Sequence, residues 1–191
     1  EVGGVAPCAV EEVEAVRAVI NDNKVLRILQ DALKKGMAKG EAGSMETKFV
    51  DLEHLDHAIA EVVTTPRASE EGAILLETVR LIRQLRAAQK VNEWDRVLNI
   101  VTAARDRVAA IEIHKLAEPE LTAAWLDVHT RKLVEVVHAA LKEGAAVGNV
   151  GNFDLSVMDT EILKQTLALE GRPGSGTQVG SGLLGVVRQV L

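Results

Sequence analysis

Slid along itself by 108 residues, the chain meets a second version of itself. Residues 24–61 align with 132–169 without a gap, and twelve of the 38 positions are identical. They are Lys24/Lys132, Ala32/Ala140, Leu33/Leu141, Lys34/Lys142, Gly36/Gly144, Ala38/Ala146, Gly40/Gly148, Gly43/Gly151, Asp51/Asp159, Glu53/Glu161, Leu55/Leu163 and Ala60/Ala168. Chance would give roughly three. The apolar pattern repeats as well: Val25, Leu26, Ile28 and Leu29 face Leu133, Val134, Val136 and Val137, and Ile59 faces Leu167. One such unit cannot bury its own apolar face, so repetition constrains the fold to an array in which neighbouring copies share a core.

Apolar residues recur three and four apart nearly throughout, as in Val13, Val16, Ile20 and Val25, Ile28, Leu29, Ala32, Leu33, which is helical spacing. The spacing predicts helices over 9–21, 23–39, 50–64, 69–90, 92–109, 119–129, 130–147 and 156–170, and no strand. Pro7, Pro66 and Pro119 stand at the joints, where a missing N–H costs least. Asn92 and Asp159 read as N-caps, and Gly40 and Gly148 as left-handed residues closing helices. Each copy then reads as a helical hairpin whose glycine-bearing loop, near 40–50 or 148–157, carries one large apolar residue, Met45 or Phe153, to plug its end.

A weaker third copy is expected near 97–128. Val97, Leu98, Ile100, Val101 and Ala104 echo Val25 to Ala32, and Leu121, Ala124, Trp125 and Val128 echo Leu55 to Val62. The expected fold is therefore all-α: stacked antiparallel hairpins of about eight helices, as an α-solenoid or elongated bundle. Residues 1–170 form the repeat domain, the run Gly-Arg-Pro-Gly-Ser-Gly-Thr-Gln-Val-Gly-Ser-Gly at 171–182 a linker, and 183–191 an apolar docking segment. In texture the chain resembles the α-helical hairpin repeats of the HEAT, armadillo and tetratricopeptide kinds. The resemblance is architectural: the tetratricopeptide pattern is absent, since there is no tyrosine, and no functional residue carries over.

Composition narrows the partners. The 191 residues are 47% apolar, enough for a core, and 28 acids against 22 Lys and Arg leave a net charge of −6, with no basic field to attract nucleic acid. No apolar run is long enough to span a bilayer. Cys8 is the single cysteine and has no intrachain partner, which suits a reducing compartment, intracellular or organellar. The opening Glu1-Val2-Gly3-Gly4 lacks a basic n-region and an apolar h-region, so the chain reads as an excised domain or a mature product.

No catalytic constellation emerges. The glycine run from 171 lacks the lysine that a phosphate loop needs before its Ser/Thr. His54, His57 and Glu61 share a helical face at spacings of three and four, the one metal-like geometry, but a fourth ligand is missing and Asp51, Glu53 and Asp56 make a solvated acidic face as natural. His114, His129 and His138 stand singly, with no nucleophile at a useful spacing, and Cys8 has no adjacent His or Lys to activate it.

Arg80, Arg83, Arg86 and Lys90 form a basic stripe, which reads as a solvated face or a contact for an acidic partner or an anionic membrane surface. Trp94 and Trp125 read as packing anchors or binding hot spots. The expected function is a non-enzymatic scaffold, adaptor or accessory subunit without cofactor, binding protein partners through Arg80, Arg83, Arg86 and Trp94. The alternative is a small-ligand or metal-binding helical domain.

Overall fold

The computed structural model describes residues 7–65, 69–109, 112–149 and 152–191, with backbone alone for 7–9, 109, 149, 153 and 155. In chain order these form α1 (Pro7–Leu33), a 3₁₀ turn at Thr47–Phe49, α2 (Glu53–Val63), α3 (Glu70–Lys90), α4 (Trp94–Ala109) and a 3₁₀ turn at Lys115–Ala117. There follow α5 (Glu118–Glu143), β1 (Val147–Asn149), β2 (Asn152–Asp154), a 3₁₀ turn at Leu155–Val157, α6 (Thr160–Leu167) and α7 (Gln178–Val190). The protein is mostly helical, as its periodicity requires.

The helix count differs from expectation where two predicted breaks are absent. Residues 9–21 and 23–39 were expected as separate helices, as were 119–129 and 130–147; each pair is one continuous helix, α1 and α5. Asn21, Asp22 and Asn23 cost only tenths of a kcal/mol each in a helix, up to about 0.7, whereas starting a new helix costs a nucleus, so α1 runs through them. In α5, Thr130 returns its hydroxyl to the Leu126 carbonyl at 2.8 Å and needs no break. Asn92 is the left-handed residue that ends α3, not a cap for α4. Its φ is 59°, and Glu93 N–H donates to Ala88 O and Asn92 N–H to Gln89 O, which is the Schellman closure.

The absence of strands is also corrected, by a two-stranded antiparallel ladder pairing Val147 with Asp154, Gly148 with Phe153 and Asn149 with Asn152. Gly148, with φ 143°, therefore sits in a strand. Its counterpart Gly40, φ 106°, follows the isolated bridge of Lys39 to Glu46, and α1 has already ended at Leu33. Adding 108 to Lys39 and Glu46 gives Val147 and Asp154, and adding it to the turn Thr47–Phe49 gives Leu155–Val157. The repeat seen in sequence is thus one of local structure: helix, antiparallel bridge, 3₁₀ turn, helix.

Burial follows the same register. Val25, Leu29, Ala32, Leu55 and Ala58 are buried in the first copy, and Leu133, Val137, Ala140, Leu163 and Thr166 in the second. Asp51 and Asp159 each accept a backbone N–H two residues on, from Glu53 and Glu161, and Asp159 caps α6 as expected. Met45 is only half-buried, and Val50 enters the first core instead. The Phe153 side chain, Pro66 and the Cys8 side chain lie outside the described residues.

The described residues divide into two compact units. The first comprises residues up to Ala38 together with Thr47–Leu121, and the second Lys39–Glu46 together with Thr122–Leu191. In the first, α1, α2 and α3 pack on one another and α4 packs on α3. In the second, Leu184 and Val187 of α7 join Leu133, Val137, Ala140 and Leu163 in one core.

The 108-residue period also continues beyond the aligned segment. Ser69, the N-cap of α3, accepts from Gly72 N–H, and Thr177, the N-cap of α7, accepts from Gly180 N–H. From there Gly72, Leu75, Leu76, Val79 and Arg80 meet Gly180, Leu183, Leu184, Val187 and Arg188. Helix α7 is the second copy of α3. The expected linker 171–182 is no linker: residues 171–177 are ordered turns with Gly174 and Ser175 buried, and 178–182 are the start of α7, continuous with the expected docking segment.

Gly36 holds one such copy together. Its φ is 70°, and a Cβ there would collide with the Asp51 carbonyl oxygen, whose residue donates its own N–H to Gly36 O at 3.0 Å. Gly171 has a similar φ of 81° but open space around it. Gly36→Ala is expected to lower unfolding stability by about 2–4 kcal/mol, through both strain and backbone displacement. Gly171→Ala should cost only the conformational share, about 1–2 kcal/mol, in the same urea titration.

Candidate functional site

The basic stripe of α3 separates once its partners are known. Arg80 pairs with Glu77 on its own helix, and Arg83 reaches Asp56 of α2 with Nε–Oδ1 at 2.8 Å and Nη2–Oδ2 at 3.3 Å. Both arginines keep about two-fifths of their side-chain surface in water, at 43% and 41%. Arg86 keeps none. Its Nε and Nη2 bind the Glu120 carboxylate at 2.7 and 2.8 Å, Nη2 also donates to Leu33 O at 2.7 Å, and Nη1 donates to Lys35 O. No face of it is left for a partner. Sequence spacing carried the signal: Arg86 continues the buried series Leu75, Val79, Ile82 at steps of four, three and four, so it lies on the apolar stripe.

Trp94, the other expected contact, opens α4 half-buried. Trp125 makes an edge-on contact with His129, ring centroids 4.6 Å apart. His54 and His57 are exposed on α2, and Glu61 lies 3.6 Å from Lys24 Nζ. Among the described residues no three of His, Cys, Asp and Glu come together as a metal ion requires. His114 caps the 3₁₀ turn that follows it, with Nδ1 accepting from Leu116 N–H and Nε2 at 3.6 Å from Glu71.

Each unit has an open groove among its described residues. One in the second unit, of about 310 Å³, is lined by Val136, Ala139, Ala140, Glu143, Ile162, Gln165, Thr166 and Leu169. One in the first unit, of about 380 Å³, is lined by Glu70, Glu71, Ile74, Ile113, His114 and Lys115. Neither sets a hydroxyl or thiol beside a histidine, the geometry nucleophilic catalysis needs.

The second unit contains a polar clamp that periodicity does not reveal. Asp127, 1% exposed in its side chain, accepts from Gly43 N–H at 2.7 Å and Met45 N–H at 3.3 Å, while its other oxygen takes Arg131 Nε at 2.9 Å. Arg131 then donates to Met45 O at 2.9 Å. Thr130 packs where a Cβ on Gly43 would sit, and the backbone at His129 and Thr130 comes within 2.7 Å of one on Gly174. Two glycine-bearing segments, 39–46 and 171–177, are thereby held against one turn of α5. The sequence hint was small: an Asp and Arg four apart, and glycines without an obvious turn.

Among the described residues, an exposed apolar stripe runs along α1. Val10, Val13, Val16, Val19 and Ile20 are 47–60% exposed, and every residue from Val10 to Arg17 is exposed. The repeat shift places Val13, Val16 and Ile20 on Leu121, Ala124 and Val128, which are 2%, 1% and 0% exposed. The same positions of the repeat are dry in one copy and wet in the other. No described helix is long and apolar enough to cross a membrane. No protein-family model, curated protein or solved structure matches this chain.

Removing the Arg86 guanidinium strands Glu120 and two carbonyls, so Arg86→Met should destabilise the fold by about 3–5 kcal/mol in chemical denaturation, with little recovery in Arg86→Lys. The exposed Arg83–Asp56 pair behaves differently. Hydrogen bonds from Arg83 hold the Asp56 carboxyl below its usual value of 3.8. Its contribution is complete above that value and fades as pH falls through the lowered pKa. Arg83→Ala should cost only about 0.2–1 kcal/mol at pH 7, a difference that vanishes in strong acid.

Proposed function

We propose that the chain is a non-enzymatic scaffold or accessory subunit, built of stacked helical hairpins, that binds a helical protein partner along the first half of α1. The supporting observation is the exposed stripe Val13, Val16, Ile20, whose repeat equivalents Leu121, Ala124 and Val128 are buried. Fully burying an exposed side chain of this kind is worth about 1.5–3 kcal/mol, and with 49–60% of each still exposed a partner that closes the stripe gains about half of that per residue, offsetting part of the cost of association. The flanks define that partner further. Glu11, Glu12 and Glu14 against Arg17 make this half of α1 acidic, which suits an amphipathic helix with aliphatic residues along its contact and basic residues at its rim.

Native purification at low salt, with mass and identity determined for what co-elutes, tests the proposal. The wild-type chain should carry a stoichiometric companion, and the variant Val13→Glu/Val16→Glu/Ile20→Glu should emerge alone with unchanged helix content, since about half or more of each residue already faces water. A wild-type chain that emerges alone, or a companion retained by the variant, overturns it.

A further inference from the structure

The groove of the first unit carries polar groups whose state its own hydrogen bonds fix. Its floor is apolar and firmly held: Ile113 is 3% exposed, the His114 N–H donates to Thr78 Oγ1 at 2.9 Å, and Ile74 of α3 lines the same hollow. Ser69 caps α3 by accepting from the Gly72 N–H, which sets Glu70 and Glu71 in the first turn at the edge of that floor. The volume, about 380 Å³, is that of a small ligand pocket.

The His114 ring has only one proton to offer. Its Nδ1 accepts from the Leu116 N–H at 3.3 Å, so the neutral imidazole carries its proton on Nε2. Nε2 lies 3.6 Å from Glu71 Oε1, beyond a direct hydrogen bond. A donor and a carboxylate acceptor stand side by side over an apolar floor without bonding each other. A single oxygen that accepts from Nε2–H and donates to the carboxylate serves both. An anionic group does not, since it meets Glu70 and Glu71 with Lys115 alone to balance them. An ammonium does not either, because it has no lone pair for Nε2–H.

We infer that the groove of Glu71, Ile74, Ile113 and His114 binds a neutral small molecule with an apolar body and one hydroxyl tip, the body against Ile74 and Ile113 and the hydroxyl between His114 Nε2 and the Glu71 carboxylate. The inference goes beyond the scaffold reading and uses no residue of the α1 stripe, so the two stand or fall separately.

The probes are phenol and toluene, which differ by exchange of the hydroxyl for a methyl group. Each is titrated into the full chain at about pH 8, where an imidazole is neutral, and followed by amide NMR. Phenol should perturb the amides of Glu71, Ile74, His114 and Lys115 saturably, with a dissociation constant of about a millimolar for so small a ligand. Toluene should bind at the same residues at least about tenfold more weakly, and benzylamine and benzoate should also be weaker than phenol. Glu71→Ala removes a side chain that keeps 64% of its surface in water, so it tests the site and not the fold. It should lower phenol affinity at least about tenfold and leave toluene unchanged. Equal affinity for phenol and toluene, tighter binding of either charged probe, the same response of both probes to Glu71→Ala, or perturbations that do not saturate at these residues overturns the inference.

Discussion

A guanidinium without solvent joins α1, α3 and the first turn of α5 within the first unit. Helix α1 ends at Leu33, where the negative end of its dipole gathers; the Lys35 N–H returns to the Ala32 carbonyl, and the Leu33 carbonyl takes a donor from outside the helix. Arg86 of α3 donates to the carbonyl of Leu33 and to that of Lys35 two residues beyond the helix, and binds Glu120 in the first turn of α5 with Nε and Nη2. That carboxylate lies at the positive end of its own helix. A lysine could supply the charge but not the divergent donors. The arrangement orients α3, and through α3 the packing of α2 and α4.

The second unit solves the corresponding problem with different residues. There Asp127 and Arg131 of α5 tie down Gly43 and Met45 of the 39–46 loop, and its last helix is seated by the close approach of Gly174 and Gly180, where a Cβ on Gly180 would collide with the Gly174 carbonyl. What the copies share is the bridge, the 3₁₀ turn, the caps and the apolar register; what they do not share is the polar bracing. Shared features are local or lie on a periodic stripe, and so recur whenever the pattern recurs. Bracing depends on which neighbour each copy meets.

Legibility in the sequence divides along the same line. The helical class, the repeat over 24–61 and 132–169, the Asp159 cap and the placement of Pro7 and Pro119 at helix starts follow from spacing and from single-residue chemistry. The extension of the repeat into α7 was also encoded, in Gly72/Gly180 and Leu76/Leu184, but it lies beyond a stretch, 62–68 against 170–176, without one identity. The continuity of α1 and α5 was not legible at Asn21–Asn23 or His129–Arg131, because weak helix formers alone leave breaking and continuing close in energy. The ladder at 147–154 rests on three residues a strand, too few for an alternating pattern to register.

For the candidate surfaces, spacing placed Arg80, Arg83 and Arg86 on what read as one basic face, and the structure assigns them an intrahelical pair, a bridge to α2 and a buried brace. An arginine's surroundings depend on which carbonyls and carboxylates reach it, for Arg86 from 34 to 53 residues away. The same holds for α1, whose apolar residues look alike in sequence to those of α5. Sequence by itself determined which residues want to leave water and that the pattern occurs twice, because hydrophobicity and helical period are properties of the chain. Only the tertiary structure decided which copy of each stripe is covered, because burial requires a neighbour.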